Sequence, residues 1–171
     1  MKIYAPIAKD YVKELFASIM YGDQPYFVHL SDVVDYVEKY KHLIDPSLLD
    51  IARAAGWLHD AIEDTKVSYS TIKKEFGLEI AEVVYALTNE LGRNRKERSE
   101  KTYPKIKANK LALYVKLCDR LSNTTKSKEE AKKGKDNLFK MYKKEYFASF
   151  RKALYLSDFD EMFVALDKLY A

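Results

Sequence analysis

The 171-residue chain is 47% hydrophobic and 33% charged, which is enough apolar material for a sizeable core and argues against a disordered protein. Its 30 Lys and Arg against 26 Asp and Glu leave a net charge of +4, which suits anionic small molecules and does not require nucleic acid. The lone Cys118 excludes an internal disulfide, and no apolar run is long enough for a leader peptide or a membrane span, so we expect a cytoplasmic protein.

Apolar residues repeat at helical spacing along most of the chain, and no alternation is long enough to predict a strand. We therefore predict an all-α fold, with a single domain over residues 1–171 built as a bundle of about eight to ten helices. The predicted helices cover residues 5–20, 28–42, 46–58, 69–76, 78–90, 109–125, 138–156 and 159–170. Residues 91–102 lack an apolar stripe and read as a loop or irregular helix start, and the Lys-rich segment 126–137 reads as a connection.

Several residues mark the predicted helix ends. Asp45, with a proline after it, and Ser68 are candidate N-caps because their side-chain oxygens can accept from free backbone N–H groups. Gly77 is a candidate C-terminal stop. Asp158 followed by Glu161 resembles a capping box that would begin the last helix.

Four ionisable side chains occur within six residues at the C-terminal end of the most apolar helix: His59, Asp60, Glu63 and Asp64. Buried carboxylates are costly unless they are paired or bound to a cation, and acids at a helix C-terminus oppose the helix dipole. The alternative is that these are ordinary polar residues at a helix exit, since a His-Asp pair alone is a weak signal.

A second candidate is Asp119, which lies within the other largely apolar helix. Adjacent helical residues point about 100° apart, so Arg120 cannot face Asp119, and the aspartate needs another partner. A cation held together with His59 and Asp60 would supply one, and His29 could complete the set. Two imidazoles and two carboxylates form a mixed N/O site that suits a divalent ion such as Mn²⁺, Fe²⁺ or Zn²⁺.

Such a site predicts hydrolytic chemistry. A divalent ion lowers the pKa of bound water towards about 7 and polarises a phosphoryl oxygen. Glu63, one helical turn after His59, is the best placed carboxylate to accept the proton of that water, and Asp64 would support it. We therefore expect a hydrolase for an anionic, phosphorylated substrate.

With these residues assembled, the chain resembles the HD superfamily of metal-dependent phosphohydrolases, and within it the hydrolase domain of RelA/SpoT-type enzymes and the small alarmone hydrolases, including metazoan SpoT homologues. The resemblance covers about residues 20–125. It rests on four segments in the family's order and spacing: Pro25–His29 (P-Y-x-x-H), His59–Thr65 (H-D-x-x-E-D-T), Phe76–Gly77, and Lys116–Asn123 (K-L-C-D-R-L-S-N).

The resemblance implies an all-helical fold, to which helices at about 138–170 would add, and one metal ion, usually Mn²⁺, with Fe²⁺, Co²⁺ and Zn²⁺ as alternatives. It implies as metal ligands His29, His59, Asp60 and Asp119. It implies that Glu63 and Asp64 activate and position the attacking water. The implied reaction removes the 3′-pyrophosphate of ppGpp or pppGpp, and metazoan relatives are also associated with removal of the 2′-phosphate of NADPH.

Substrate contacts follow from the same resemblance. Asn123 matches a family residue near the ribose and phosphates, and Tyr146 resembles a family tyrosine at the substrate phosphates. The bacterial enzymes carry Arg-Lys where this chain has Met20 and Tyr21, and that arginine packs against guanine. Base recognition is therefore altered, and the alternative is a phosphatase for another phosphorylated or cyclic nucleotide.

Positive charge is concentrated in residues 92–110, which hold eight basic and two acidic side chains. The cluster suits a polyanionic nucleotide, with Arg93 and Arg98 as candidate phosphate ligands, although an ordinary solvated face would look the same. The Lys-rich residues 126–144 read as a surface face, and no base-reading module points to nucleic acid. Two further hypotheses stay open: a homo-oligomer, and a catalytically silent nucleotide-binding module.

Overall fold

Eleven α-helices account for most of the computed structural model, which describes all 171 residues. They are α1 (Ala5–Leu15), α2 (Tyr26–Lys39), α3 (Leu49–Leu58), α4 (Ala61–Asp64), α5 (Tyr69–Phe76), α6 (Leu78–Leu87), α7 (Arg95–Ala108), α8 (Lys110–Lys132), α9 (Asn137–Glu145), α10 (Arg151–Leu154) and α11 (Asp160–Tyr170). Nine of them have eight or more residues, so the all-α prediction is confirmed. None of the helices combines the length and apolar character needed to cross a membrane.

The remaining regular structure is short. It comprises 3₁₀ turns at Lys41–Leu43, Pro46–Leu48 and Ser157–Phe159, a π-helical segment at Tyr146–Phe150, and strands β1 (Met20–Tyr21) and β2 (Gln24–Pro25). The two strands form an antiparallel hairpin that pairs Tyr21 with Gln24. Gly22 turns this hairpin with a φ of +62°, a left-handed conformation that favours glycine.

Helix α8 lies at the centre of the molecule. It packs against α2, α3, α6, α7, α9 and α11, and 13 of its 23 residues are buried. Helix α3 is also apolar around most of its circumference, with six of its ten residues buried, as its sequence predicts. One contiguous core of 39 buried residues extends from Ala8 to Tyr170.

Two predicted helix ends are confirmed by the capping geometry. The Ser68 side chain accepts from the backbone N–H of Thr71 and begins α5. Gly77 ends α5 at a φ of +87°. Asp45 also acts as a cap, accepting from the N–H of Ser47, but the turn that it begins is 3₁₀ and α3 starts only at Leu49.

Four other predictions of helix positions or helix ends are wrong. Helix α7 occupies much of the segment predicted to be a loop or irregular helix start, and α8 continues through residues 126–132, where a connection was expected. The expected helix 138–156 is interrupted by the π-helical segment. No capping box begins α11, because Asp158 pairs with Lys110 and Glu161 lies 2.8 Å from His42.

Candidate functional site

Four side chains from three parts of the chain converge beside the core. His29 lies on α2, His59 ends α3, Asp60 immediately precedes α4, and Asp119 lies in the middle of α8. The two imidazoles and Asp119 are buried, with side chains that are 2%, 4% and 8% exposed, while Asp60 is 17% exposed. Packing of α2 and α3 against α8 therefore brings together polar groups that are far apart in sequence.

The donor atoms of these four side chains lie close together. Nε2 of His59 is 2.9 Å from Oδ2 of Asp60 and 3.4 Å from Oδ1 of Asp119. Nε2 of His29 is 3.3 Å from the same Oδ1 of Asp119 and 3.8 Å from Oδ2 of Asp60. One face of each side chain therefore points into a common space.

The hydrogen bonds of the imidazoles orient them towards that space. Nδ1 of His59 lies 2.8 Å from the carbonyl oxygen of Gly56, to which it can donate. In the neutral imidazole this bond selects the tautomer whose Nε2 carries a lone pair that faces the common space. This buried Nε2 has no hydrogen-bond partner of adequate geometry. Nδ1 of His29 is held in the same sense, 3.3 Å from the hydroxyl of Ser122.

Asp119 is held by its own helix. Its Oδ2 accepts from Nζ of Lys116 at 3.0 Å and its Oδ1 accepts from Nδ2 of Asn123 at 2.8 Å. Arg120 points away and pairs with Glu145, as the helical geometry predicts. Burial alone would raise the pKa of Asp119, but the Lys116 ammonium and the two imidazoles outweigh it and hold this pKa well below its usual range. The carboxylate is thus ready to bind a cation.

The donor set fits a divalent metal ion. Ligand atoms that each lie about 2.1 Å from one ion, in tetrahedral or octahedral geometry, are roughly 3.0 to 3.4 Å from their neighbours. Three of the four observed separations, 2.9, 3.3 and 3.4 Å, lie within about 0.1 Å of that range, and the fourth, between His29 and Asp60, is 3.8 Å. An ion would also satisfy the unpartnered Nε2 of His59.

A second acidic group adjoins the first. Asp60, Glu63 and Asp64 each offer a carboxylate oxygen within 4.8 Å of the others. Glu63 accepts from the backbone N–H of Asn89 at 3.0 Å, and Asp64 accepts from the hydroxyl of Tyr26 at 3.0 Å. Partial burial of its carboxyl group and the neighbouring Asp60 charge raise the pKa of Asp64 to about 6. Both Glu63 and Asp64 are exposed, so water and substrate can reach them.

Basic side chains surround a small cavity on the α7 side of the site. The cavity has a volume of about 60 Å³ and is lined by Asn89, Arg95, Arg98, Ser99, Tyr103, Ile106, Lys116, Arg120 and Glu145. Two buried polar atoms in this lining have no partner, Nη1 of Arg120 and the hydroxyl of Tyr103. Lys116 lines the cavity and also donates to Asp119, so the basic cavity lies next to the four converging side chains.

Comparison with known proteins places this architecture in a family. The HD domain family matches residues 8–154, most of the chain. The chain belongs to the HD domain family. Within the match lie both histidines and both aspartates of the converging group.

Named relatives share parts of this HD domain. The chain is 28% identical over 102 residues, 59% of its length, to the guanosine-3′,5′-bis(diphosphate) 3′-pyrophosphohydrolase MESH1 of Drosophila melanogaster. The matched region spans only 55%, about half, of that relative. In fold, the HD domain is similar to a metazoan orthologue of SpoT described as hydrolysing ppGpp, with a TM-score of 0.75 at 17% identity over 99% of this chain and 95% of the other. It is also similar to lmo0812 of Listeria monocytogenes EGD-e, with a TM-score of 0.62 at 24% identity over 86% and 98%.

The predicted substrate contacts are distributed unevenly over the HD domain. Asn123 lies at the site through its bond to Asp119, and Arg98 lines the cationic cavity. Arg93 has a side chain that is 90% exposed and pairs with Glu97 at 3.0 Å. The structure therefore brings Asn123 close to the four converging side chains and Arg98 to the adjacent cavity, and it leaves Arg93 on the surface.

Tyr146 requires a correction. Its side chain is fully buried among aromatic neighbours such as Phe150 and Tyr170, and its hydroxyl donates to Asp167 at 2.7 Å. A ring with no exposed surface and a hydroxyl already bonded within the core has nothing to offer a substrate. Tyr146 therefore lies outside the candidate site of this HD domain.

Sequence reasoning missed three residues that support the site. Tyr26 donates to Asp60, Lys116 donates to Asp119, and Tyr21 donates to Asn123. Tyr26 and Lys116 belong to the motif segments quoted above, and Lys116 lies one helical turn before Asp119, which is a readable signal. The role of Tyr21 depends on the hairpin geometry and had no local signal.

Proposed function

We propose that this HD domain is a metal-dependent hydrolase that removes the 3′-pyrophosphate of ppGpp and pppGpp. The observation that carries the proposal is the convergence of His29, His59, Asp60 and Asp119 beside the Glu63–Asp64 pair. The likeness to MESH1 supports this substrate class. In this proposal the first four residues are the metal ligands, and Glu63 and Asp64 are the catalytic carboxylates.

We propose Mn²⁺ as the metal, with Fe²⁺, Co²⁺ and Zn²⁺ as alternatives, because two imidazole nitrogens and two carboxylates form a mixed donor set. When bound, the ion would polarise a phosphoryl oxygen and lower the pKa of the attacking water. The protein's contribution is to hold the Asp119 carboxylate ionised and to orient the two imidazoles towards the common space, as described above.

The other steps belong to the side chains around the site. Glu63 lies next to the ligand group with an oxygen fixed by the Asn89 N–H, and it can accept a proton from the attacking water. Asp64, oriented by Tyr26, can hold that water in line with the phosphorus atom. Both carboxylates are exposed, so the proton can pass on to solvent.

Charge favours a polyanionic substrate. The cavity beside Lys116 has four cations and one acid in its lining, and the unpaired Nη1 of Arg120 marks unused hydrogen-bonding capacity there. A phosphate chain attached to a scissile group at the ligand cluster could extend towards Arg98, which can grip phosphate through two N–H groups. Asn123 would contact the substrate near the reacting phosphate.

A second candidate substrate class is another phosphorylated or cyclic nucleotide, including NADPH with its 2′-phosphate. The favouring observation is at the hairpin, where Met20 is an exposed apolar side chain and Tyr21 is occupied with His29 and Asn123. Neither offers the basic group that the resemblance associates with guanine.

We further propose one HD-type hydrolase domain over residues 1–171 that acts in the cytoplasm. The continuous core from Ala8 to Tyr170 supports the first part. The single, buried and unpaired Cys118 supports the second, because it suits a reducing compartment.

A nucleotide panel with and without metal tests the proposal. The chelated protein, reloaded with Mn²⁺, is assayed for phosphate and pyrophosphate release from ppGpp, pppGpp, NADPH and nucleoside monophosphates. We expect pyrophosphate from the first two, a loss of roughly 10²- to 10⁴-fold in Glu63→Gln, and no activity in Asp60→Asn. Glu14→Gln, which changes an exposed carboxylate on α1, is the matched control. Release from NADPH or a monophosphate alone would favour the second candidate, and nucleotide binding without turnover would favour a silent module.

A further inference from the structure

We propose that Tyr21 is a positioning residue for the metal centre, because its ring lies against His29 and its hydroxyl fixes Asn123. The inference depends on the proposed metal-dependent function. It assigns to one side chain outside the ligand set the task of holding two of the four ligands in place.

The ring of Tyr21 covers the imidazole of His29. The two rings are stacked, with centroids 4.5 Å apart and planes inclined by only 6°. Tyr26 meets both rings edge-on, at 5.7 Å from Tyr21 and 5.5 Å from His29. Stacked and edge-on pairs of this kind are favourable, so the imidazole is restrained by two aromatic neighbours as well as by Ser122 at its Nδ1.

The hydroxyl of Tyr21 acts on the second ligand through Asn123. It donates to the amide oxygen of Asn123, whose Nδ2 donates to Oδ1 of Asp119 at 2.8 Å. An amide can flip by 180°, and the flipped form would present oxygen to the carboxylate. By binding the amide oxygen, Tyr21 selects the orientation in which the NH₂ group faces Asp119.

Tyr21 contacts residues of the candidate site and is not part of the hydrophobic core. Its side chain belongs neither to the 39-residue core nor to the partly buried residues packed on that core. Its position comes from the β1–β2 hairpin, where it pairs with Gln24 across the turn at Gly22. Loss of the side chain should therefore disturb the ligands more than the stability of the fold.

Metal binding in Tyr21 variants tests this role. Tyr21→Phe keeps the ring and removes the bond to Asn123, Tyr21→Ala removes both contacts, and Met20→Ala is the control because it changes an exposed side chain on the same strand. The affinity of the chelated protein for Mn²⁺ is measured by titration calorimetry, with electron paramagnetic resonance of the bound ion as a second readout. Groups that orient metal ligands typically contribute 10- to 100-fold in affinity.

We expect Tyr21→Phe to bind Mn²⁺ roughly 3- to 10-fold more weakly and Tyr21→Ala roughly 10- to 100-fold more weakly. Both should alter the resonance spectrum, while Met20→Ala should match the unmodified protein in both readouts. Equal affinity of Tyr21→Phe, Tyr21→Ala and the unmodified protein would overturn the role of Tyr21 and leave the proposed function intact. Absence of Mn²⁺, Fe²⁺, Co²⁺ and Zn²⁺ binding in the unmodified protein would overturn both. If Tyr21→Ala does not fold, the Tyr21→Phe result decides.

Discussion

The hydroxyl of Tyr26 lies 2.6 Å from Oδ2 of Asp60, and this contact ties the first residue of α2 to the residue that precedes α4. The same hydroxyl is 3.0 Å from Oδ2 of Asp64. A phenol has one proton to donate, so the two carboxylates share it. Burial, reinforced by the charges of Asp60 and Asp64, raises the pKa of Tyr26 and keeps it protonated. The Tyr26 side chain thus links a proposed metal ligand to a proposed catalytic carboxylate.

Replacement of Tyr26 by Phe should lower activity without unfolding the protein. The ring stays stacked on Phe16, with centroids 5.0 Å apart, but both carboxylates lose their donor. We expect kcat or Mn²⁺ affinity to fall roughly 10- to 100-fold, the usual effect of removing a group that orients a metal ligand. Steady-state kinetics and calorimetric titration measure the two quantities. Tyr155→Phe, which removes a surface bond to Asp160, is the control, and equal kinetics for the two variants would contradict the prediction.

The turn after α6 should matter for turnover and not for metal binding. Its backbone N–H at Asn89 holds Glu63, and Lys105 fixes the turn by donating to the carbonyl oxygens of Tyr85 and Thr88 at 3.1 and 2.9 Å. In Lys105→Met the turn is freer and Glu63 is less well aimed. We expect kcat to fall about 10-fold, because small misplacements of a catalytic group are costly.

The metal affinity of Lys105→Met should stay unchanged, since the hydrogen bonds of the four proposed ligands go to Tyr26, Gly56, Lys116, Ser122 and Asn123 and not to this turn. Titration with Mn²⁺ alongside the kinetics separates the two effects. Lys96→Met, which changes a largely exposed lysine of α7, is the control variant. A parallel loss of Mn²⁺ affinity and kcat in Lys105→Met would show that the turn acts on the whole site.

Two arginines of the 92–110 segment should differ in their effect on substrate binding. Arg98 lines the cationic cavity, whereas Arg93 is almost fully exposed and already pairs with Glu97. We expect Arg98→Ala to raise the KM for ppGpp roughly 10-fold, the size of one charge-assisted hydrogen bond, and Arg93→Ala to change it less than about 2-fold. The two KM values, measured at constant ionic strength, decide the matter. A larger effect at Arg93 would place the phosphates on the outer surface.

Much of the site was predictable because its residues carry local signals. His59, Asp60 and Asp119 are ionisable groups within largely apolar helices, and the cost of burying them alone points to a shared cation. The Ser68 cap and the Gly77 helix end were also predictable, because each depends on residues only three or four positions away. Their proximity in space, by contrast, follows from the packing of α2 and α3 on α8.

The wrong predictions have two different physical origins. Helix α7 has a weak apolar stripe, so hydrophobic periodicity does not predict it, and its start is instead marked by Asn94 as N-cap with Glu97 three residues later. The resemblance to a family tyrosine assigns Tyr146 to the substrate phosphates, yet Asp167, 21 residues away, accepts its hydrogen bond. No local pattern specifies such a partner.

The Glu145 carboxylate should contribute strongly to stability. It pairs with Arg120, whose side chain is 3% exposed, and with Arg95. Burial alone would raise the pKa of Glu145, but the two guanidinium groups lower it from its ordinary 4.5 to about 2. Removing one partner of a buried pair leaves a charge without compensation, so Glu145→Ala should lower the free energy of unfolding by about 3 kcal/mol at pH 7.

The pH dependence of this effect distinguishes charge pairing from lost packing. A carboxyl group whose pKa is lower in the folded state stabilises the fold above its unfolded pKa and loses that contribution as the pH falls towards the folded value. The stability difference between the unmodified protein and Glu145→Ala should thus be constant from pH 7 to about 5 and shrink between 4.5 and 2. Urea unfolding at intervals from pH 7 to 3 measures it. A difference that stays constant to pH 3 would mean that Glu145 stabilises the fold through packing and not through its charge.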